Sequence, residues 1–295
     1  MINIMRFKVL YFVFSLLIIL PGLYYLLTSG LKLGIDFTGG ALFEYRFEKS
    51  IDVETLRQAL TRDGVEIGAI TTSDKNTYII RTKPIEQEKI NQLKASLSDK
   101  FGNVEERRVE NVGPIIGAEL KQKASFALII SSLAIVLYIA FSFRKIPKPQ
   151  SSFRFGIAAV VALLHDILVV VGVFAILGKF LNVEVDTLFV TALLTIVGFS
   201  VHDTIVVFDR IRENLTKHIG KKFIDVANIS VVQTLGRSLN TSLTVVFVLL
   251  ALLLFGGETI KWFVVALLVG IISGTYSSIF NATAFLVWWE GKLGH

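Results

Sequence analysis

The 295-residue sequence contains no cysteine, which excludes disulfides, thiol nucleophiles and cysteine-ligated metal sites and leaves the redox compartment open. Charge is scarce as well. Charged residues make up 18% of the chain against 53% hydrophobic ones, too little charge for a soluble domain of this size. Low-complexity tracts and clear internal repeats are missing. The first apolar run follows Met5-Arg6-Phe7-Lys8 without a small-residue cleavage pattern after it, so it reads as a retained signal anchor. The stretch Gly34-Ile35-Asp36-Phe37-Thr38-Gly39-Gly40 lacks the lysine spacing of a phosphate loop and no helix pattern follows it. It reads as a strained junction between a helix and the segment beyond.

What is present is a set of long apolar runs. A spanning helix needs roughly 20 mostly apolar residues. Six stretches answer to this, at residues 9–27, 124–143, 155–177, 187–208, 239–255 and 262–288, the fifth beginning earlier, near Arg237. Lysine and arginine crowd the ends of these runs rather than forming a groove for nucleic acid, so the net charge of +6 fits topology and anionic lipid. Arg6 and Lys8 precede the first run, Arg144, Lys145, Lys148 and Arg154 follow the second, and Arg210, Arg212, Lys217, Lys221, Lys222 and Arg237 lie between the fourth and fifth. Both termini are therefore expected in the cytoplasm and the segment after the first helix on the opposite side.

The expected order is a first transmembrane helix (1–27), a periplasmic ferredoxin-like α+β domain (28–123), transmembrane helices two to six (124–289) and a cytoplasmic tail (290–295). Within the second segment, residues 41–47 alternate like a strand and 52–63 read as a capped helix. Residues 65–72 and 77–82 read as two strands, 86–101 as a helix with Ile90, Leu93 and Leu97 on one face, and 104–112 as a last strand. That β-α-β-β-α-β order is the ferredoxin-like plait. Between the fourth and fifth helices, residues 209–236 are too polar to span. Phe223, Val226, Ala227, Ile229 and Val231 suggest an amphipathic helix near the membrane surface.

Ionisable residues inside a span cost roughly 2.5–3.5 kcal/mol each on insertion scales, and normally face a bundle interior or a water path. Two spans hold them: His165-Asp166 in the third and His202-Asp203 in the fourth. At about 100° per residue, Ile196, Phe199, Ser200, Val207 and Arg210 share the face of Asp203. On the fifth helix Arg237, Thr241 and Thr244 form a stripe with Asn240 at its edge. Burial raises a carboxyl's proton affinity and an approaching guanidinium lowers it, so an Asp203–Arg237 contact that forms and breaks would bind and release a proton. The competing readings are a permanently paired structural aspartate and a positive-inside anchor that snorkels to the surface. His165-Asp166 is either a second relay or a pair bracing two helices. His202 is either a relay or a packed polar residue. On the last span, Gly270, Gly274 and Ser278, and beside them Ser273, Ser277 and Asn281, recur at four-residue spacing, which reads as close helix packing.

Taken together these segments resemble the SecF family of protein-export subunits, within the RND-like superfamily. The resemblance is carried by Leu33-Gly34-Ile35-Asp36-Phe37-Thr38-Gly39-Gly40, by Val112-Gly113-Pro114-Ile115-Ile116-Gly117-Ala118-Glu119-Leu120 and by His165-Asp166. The longest motif runs from Gly198 to Asn214 and includes Ser200, His202 and Asp203. Arg237-Ser238-Leu239-Asn240-Thr241-Ser242 and Gly274-Thr275-Tyr276-Ser277-Ser278-Ile279-Phe280 follow. The resemblance implies an α-helical membrane protein of six transmembrane helices of the RND/SecDF type, placed in the bacterial cytoplasmic membrane. It also implies a pseudo-symmetric partnership with SecD, action beside the SecYEG translocon on a translocating preprotein, and use of protons from the proton-motive force late in export. No enzyme activity, cofactor, metal or nucleic acid is expected. The proton path implied is Asp203 and Arg237, with His202, Ser200, Asn240 and Thr241 beside them and His165 and Asp166 in support. Phe199 and His202 stand where tyrosine and asparagine are common in relatives, which puts the water path or its pH dependence in question. Three other readings compete. Half of an RND-type small-molecule exporter shares the helix plan, but usually has larger external domains. An intramembrane hydrolase on either His-Asp pair is disfavoured because adjacent residues point about 100° apart. A passive scaffold would show no proton flux.

Overall fold

The computed structural model describes residues 3–74, 76–144, 146–147 and 150–291. Lys145 and Lys148 of the expected basic loop, and residues 292–295 of the expected tail, lie outside these. In chain order the elements are α1 (Lys8–Ser29), a one-turn α2 (Ile35–Thr38), β1 (Gly40–Phe47), α3 (Val53–Arg62), β2 (Ile67–Asp74) and β3 (Thr77–Thr82). Then come α4 (Gln87–Phe101), β4 (Val104–Val112), α5 (Pro114–Ser142), α6 (Ser152–Leu181), α7 (Thr187–Lys217) and α8 (Phe223–Phe255). A helix α9 (Glu258–Tyr276), a π turn (Ser277–Asn281) and α10 (Ala282–Gly291) complete the chain. Two compact units result, Leu33–Ser125 and the remainder.

In the first unit the strand pattern works as its alternation requires. Ala41, Phe43, Tyr45 and Phe47 of β1 are buried, and with Leu56 and Leu60 of α3 and Ile90, Leu93 and Leu97 of α4 they form one core. Each fully buried leucine of this kind contributes about 1.5–3 kcal/mol. Asp52 begins α3, its carboxylate accepting from the backbone N–H groups of Glu54 and Thr55 at 3.1 and 3.2 Å, an N-cap of about 1 kcal/mol. The sheet is antiparallel in the order β2-β3-β1-β4, with β1 in the middle pairing Phe43 to Ile80 and to Val109. This is the ferredoxin-like plait. The glycine junction folds as a helical turn followed by Gly39 and Gly40 at φ +71° and +140°, which L side chains rarely adopt. A Cβ on Gly39 would also stand 2.9 Å from Pro114 Cα, so the junction lies tight against the start of α5.

Among the described residues six helical spans are long and apolar enough to cross a membrane, the last running through α9, the π turn and α10. Among them α6, α7 and α9 are the most buried, and α1, α5 and α8 stand outside. Phe143, Phe155 and Phe208 pack edge to face or tilted at one end of the bundle, with ring centroids 5.3–6.0 Å apart.

The structure corrects the expectation of a separate surface helix at 209–236. The 31 residues of α7 and 33 of α8 make helices of roughly 45–50 Å, longer than a hydrocarbon core of about 30 Å. The polar stretch is the outer end of α7 and the start of α8, joined by the turn at 218–222. Its polar groups are satisfied between these helices rather than by lipid headgroups. Asn214 Nδ2 donates to Ser230 Oγ and to Gln233 Oε1, both at 2.8 Å. Asn228 Oδ1 accepts from the backbone N–H groups of Ile4 and Met5 at 2.8 and 3.2 Å, while Val226, Ala227 and Val231 are buried.

Candidate functional site: two buried aspartates in the helical bundle

Asp166 of α6 is fully buried, and its two oxygens accept a full set of hydrogen bonds. Ser273 Oγ donates to Oδ1 at 3.0 Å, Ser277 Oγ to Oδ2 at 2.7 Å, and Ser200 Oγ to Oδ2. His165 Nδ1 lies 2.9 Å from Oδ1. With the carboxylate ionised, which only accepts, this contact is one in which Nδ1 carries the hydrogen. Charge-assisted bonds of this kind contribute about 1.5–3 kcal/mol each, enough together to hold a carboxylate in the bundle. The far nitrogen of the ring, Nε2, reaches Ser15 Oγ of α1 at 3.0 Å and Asn281 Nδ2 of the π turn at 3.2 Å. One dyad on α6 thus gathers α1, α7, α9 and the π turn.

Asp203 of α7 is 3% exposed and has a thinner shell. Ser242 Oγ of α8 donates to its Oδ2 at 3.4 Å, and Ser242 in turn shares a hydrogen bond of 2.6 Å with Thr275 of α9. Between the two carboxylates, α9 presses on α7. A Cβ on Gly274 would stand 3.0 Å from Ser200 Cβ, and one on Gly270 would overlap the Ile196 side chain. The glycine stripe is therefore a packing stripe, as expected. The neighbouring stripe of Ser273, Ser277 and Asn281 does more, since all three bond to the His165–Asp166 dyad.

The remaining residues of the expected proton path lie apart. Arg237 is exposed and, among the described residues, its side chain forms no hydrogen bond or ion pair, so it does not pair with Asp203 in this state. Asn240, Thr241 and His202 are exposed as well, and Thr241 Oγ1 donates to the Arg237 carbonyl at 3.0 Å. Ser200, assigned to the face of Asp203, bonds to Asp166 instead, because α6 lies closer to that side of α7. Arg210 of the same face is engaged by Glu213 at 2.5 Å and Gln233 at 2.8 Å. Sequence reasoning passed over Ser15, Ser242 and Thr275 as site residues. The signal for Ser242 and Thr275 was their place inside motifs already singled out; for Ser15, a lone hydroxyl in an aliphatic helix, there was little.

Six apolar spans, two carboxylates buried among them and an inserted plait define a polytopic membrane protein of the transporter kind. Residues 92–292 match the model of the protein export membrane protein SecD/SecF C-terminal family, and residues 24–51 match the SecD/SecF GG motif. The chain belongs to the SecD/SecF family. It is 51% identical over 307 residues to the protein translocase subunit SecF of Thermobaculum terrenum, covering 99% of this chain and 95% of that one. It is 35% identical to the protein translocase subunit SecDF of Bacillus subtilis over 96% of this chain and 37% of that one. The crystal structure of SecDF from Thermus thermophilus, a translocon-associated membrane protein, superposes with a TM-score of 0.86 at 34% identity. It covers 98% of this chain, which spans 39% of that polypeptide.

Proposed function

We propose that this chain works with a SecD subunit in the Sec export machinery and couples proton movement through its helical bundle to transport of a preprotein. It sits in the bacterial cytoplasmic membrane with both termini in the cytoplasm. The plait, expected at residues 28–123, faces the periplasm, where a preprotein emerging from SecYEG is drawn across late in export. The SecD partner is supported by relatives in which a chain like this one is fused into SecDF.

The observation that carries the coupling is Asp203, a carboxylate buried between α7 and α8 with a hydroxyl bonded to it and, among the described residues, no lysine or arginine paired with it. Exposed on the same two helices are His202, Arg237, Asn240 and Thr241. Polar side chains at membrane depth face protein or water rather than lipid, so this stripe is where the SecD subunit docks and where a proton path runs. Protonation neutralises Asp203. Loss of the proton leaves a charge that draws Arg237 towards it, and α7 and α8 shift against each other. One charge crossing 100 mV supplies about 2.3 kcal/mol, so roughly 150 mV supplies about 3.5 kcal/mol. A near-complete switch of two states needs about 5.5 kcal/mol. One proton biases the motor; a full stroke takes a pH gradient or a second proton.

The test is Asp203→Asn in proteoliposomes holding this chain, its SecD partner and the translocon. Export driven by an imposed proton gradient falls to the undriven rate. Export at the normal driven rate would refute the coupling.

A further inference from the structure

The amide of Asn281 is oriented as the neutral form of His165 requires, and it leaves one atom over. Asn281 Nδ2 lies 2.6 Å from Ser15 Oγ and 3.2 Å from His165 Nε2. An amide nitrogen only donates, so Nε2 accepts here and the ring's single hydrogen is the one that faces Asp166. Asn281 is 6% exposed, and its Oδ1 has no hydrogen-bond partner among the described residues. Half a turn of the amide exchanges the two atoms. The carbonyl oxygen then faces Nε2 and Ser15, the arrangement that a protonated ring needs. Each orientation leaves one amide atom unpartnered, so neither is strongly preferred until a proton decides.

We propose that the His165–Asp166 dyad binds a transported proton of its own on His165 Nε2, with the Asn281 amide turning over to accept it. This deepens the proton-coupled reading above, on which it rests, and supplies the second proton that is one of the two ways to a full stroke. In the loading step a proton from water bonds to the lone pair of Nε2. The contact from Asn281 Nδ2 to that nitrogen breaks, and Nε2–H donates to Oδ1. The new positive charge lies one imidazole ring from the Asp166 carboxyl group and its cage of serines. Unloading breaks the Nε2–H bond, gives that proton to water on the cytoplasmic side and restores the Asn281 Nδ2 contact, so protons and charge balance over the cycle.

The surroundings suit one proton and no more. The titratable groups facing His165 are Asp166 on its own helix, Tyr276 of α9 with its ring 6.5 Å away, and Tyr11 of α1, whose backbone carbonyl accepts from the Tyr276 hydroxyl. The side of α7 turned to the dyad offers the Ser200 hydroxyl, and α10 offers Ala282 and Phe285. Among the described residues no lysine, arginine or glutamate bonds to His165 or Asp166. Beside the site lies a cavity of about 370 Å³ with almost wholly apolar walls, among them Leu16, Leu168 and Phe285, which Ser15, His165 and Asn281 also border. The response leaves through Ser200, on the helix that carries Asp203, and through the π turn.

Solid-state nitrogen NMR of the full chain with isotope-labelled histidine in lipid bilayers tests this. The chain has four histidines, so the signal lost in His165→Gln identifies the residue. His165 is expected to pass from the Nδ1–H tautomer to the doubly protonated ring as the sample is taken from alkaline to mildly acidic pH. At the mildly acidic pH, Asn281→Leu, which offers no acceptor, depletes the doubly protonated form roughly tenfold, the worth of one charged hydrogen bond. Asn281→Asp enriches it. A ring that stays singly protonated throughout, or a population equal in wild type and both variants, overturns the proposal. The readout involves no export, and it persists in Asp203→Asn, so failure of coupling at Asp203 and failure of this site are separate results.

Discussion

Asp203 and Ser242 join α7 to α8 through a hydrogen bond of 3.4 Å, and Arg237, exposed a little over a turn away on α8, takes no part in it. A neutral hydroxyl therefore occupies the place that a guanidinium would fill in an ion pair. The hydroxyl holds the two helices without fixing the charge of the carboxylate.

From this follows a separation of effects. Arg237→Gln leaves thermal stability of the isolated chain within about 0.5 kcal/mol, because no contact of the resting state is lost. The same change lowers gradient-driven export in the assembled complex. Ser242→Ala does the converse in part, costing about 1–3 kcal/mol of stability for the two hydrogen bonds it makes, to Asp203 and to Thr275. Thermal unfolding in detergent and export in proteoliposomes, run on both variants, check the pair. A strongly destabilised Arg237→Gln would mean that the guanidinium is a structural partner after all.

A second prediction concerns glycines on two other helices. Gly22 of α1 and Gly172 of α6 meet backbone to backbone; a Cβ on Gly172 would stand 2.8 Å from Gly22 Cα. No side chain can rotate away from such an overlap, so Gly172→Val forces the helices apart at a cost of about 1–3 kcal/mol. Because the chain has no cysteine of its own, the gap can be read by cross-linking introduced pairs. Ile19→Cys and Leu168→Cys line the same cavity between these helices. Their cross-linking yield falls several-fold when Gly172→Val is added. An unchanged yield would show that α1 is held by other contacts. Since Ser15 rides on α1, the same variant loosens the shell of His165.

The plait could be read from the chain almost element by element, for a physical reason. Alternation at Ala41, Phe43, Tyr45 and Phe47 has a single reading, and Asp52 placed before an apolar-periodic run marks a helix start. The spans were equally plain because their hydrophobic length has one use. Residues 209–236 were not, since an amphipathic face looks the same whether it meets lipid headgroups or a neighbouring helix; only Asn214, Asn228 and Ser230, bonded across helices, reveal which. The polar cage of Asp166 was hidden in a similar way. Ser273, Ser277 and Asn281 are small enough to pass for packing residues, and the π turn that presents two of them has no sequence period. His165, Asp166 and Asp203 themselves stood out because charge inside an apolar run is costly wherever it faces. What a sequence pattern does not carry is the choice of partner: Ser200 could serve either aspartate, and helix packing decided for Asp166.

The last prediction lies outside the membrane, where pH acts directly. Asp63, at the end of α3, accepts from Ser96 Oγ at 2.8 Å and from Lys100 Nζ at 2.8 and 3.0 Å, tying α3 to α4. Burial tends to raise its carboxyl, but the hydrogen bonds from Lys100 and Ser96 and the lysine's charge outweigh that and hold it below its ordinary value of 3.8. The ionised form is thus favoured in the folded plait. Its contribution is complete above the ordinary value and disappears as pH falls through the lower, folded one. The pair is partly exposed, so at neutral pH it contributes less than about 1 kcal/mol. Asp63→Asn in the full chain therefore lowers amide hydrogen-exchange protection of α3 and α4 slightly at neutral pH. In strong acid, where wild-type Asp63 is protonated too, the two proteins converge. High salt, which screens Lys100, shrinks the neutral-pH difference as well. A difference that persists undiminished into strong acid would assign the effect to shape at the α3 terminus rather than to the charge of Asp63.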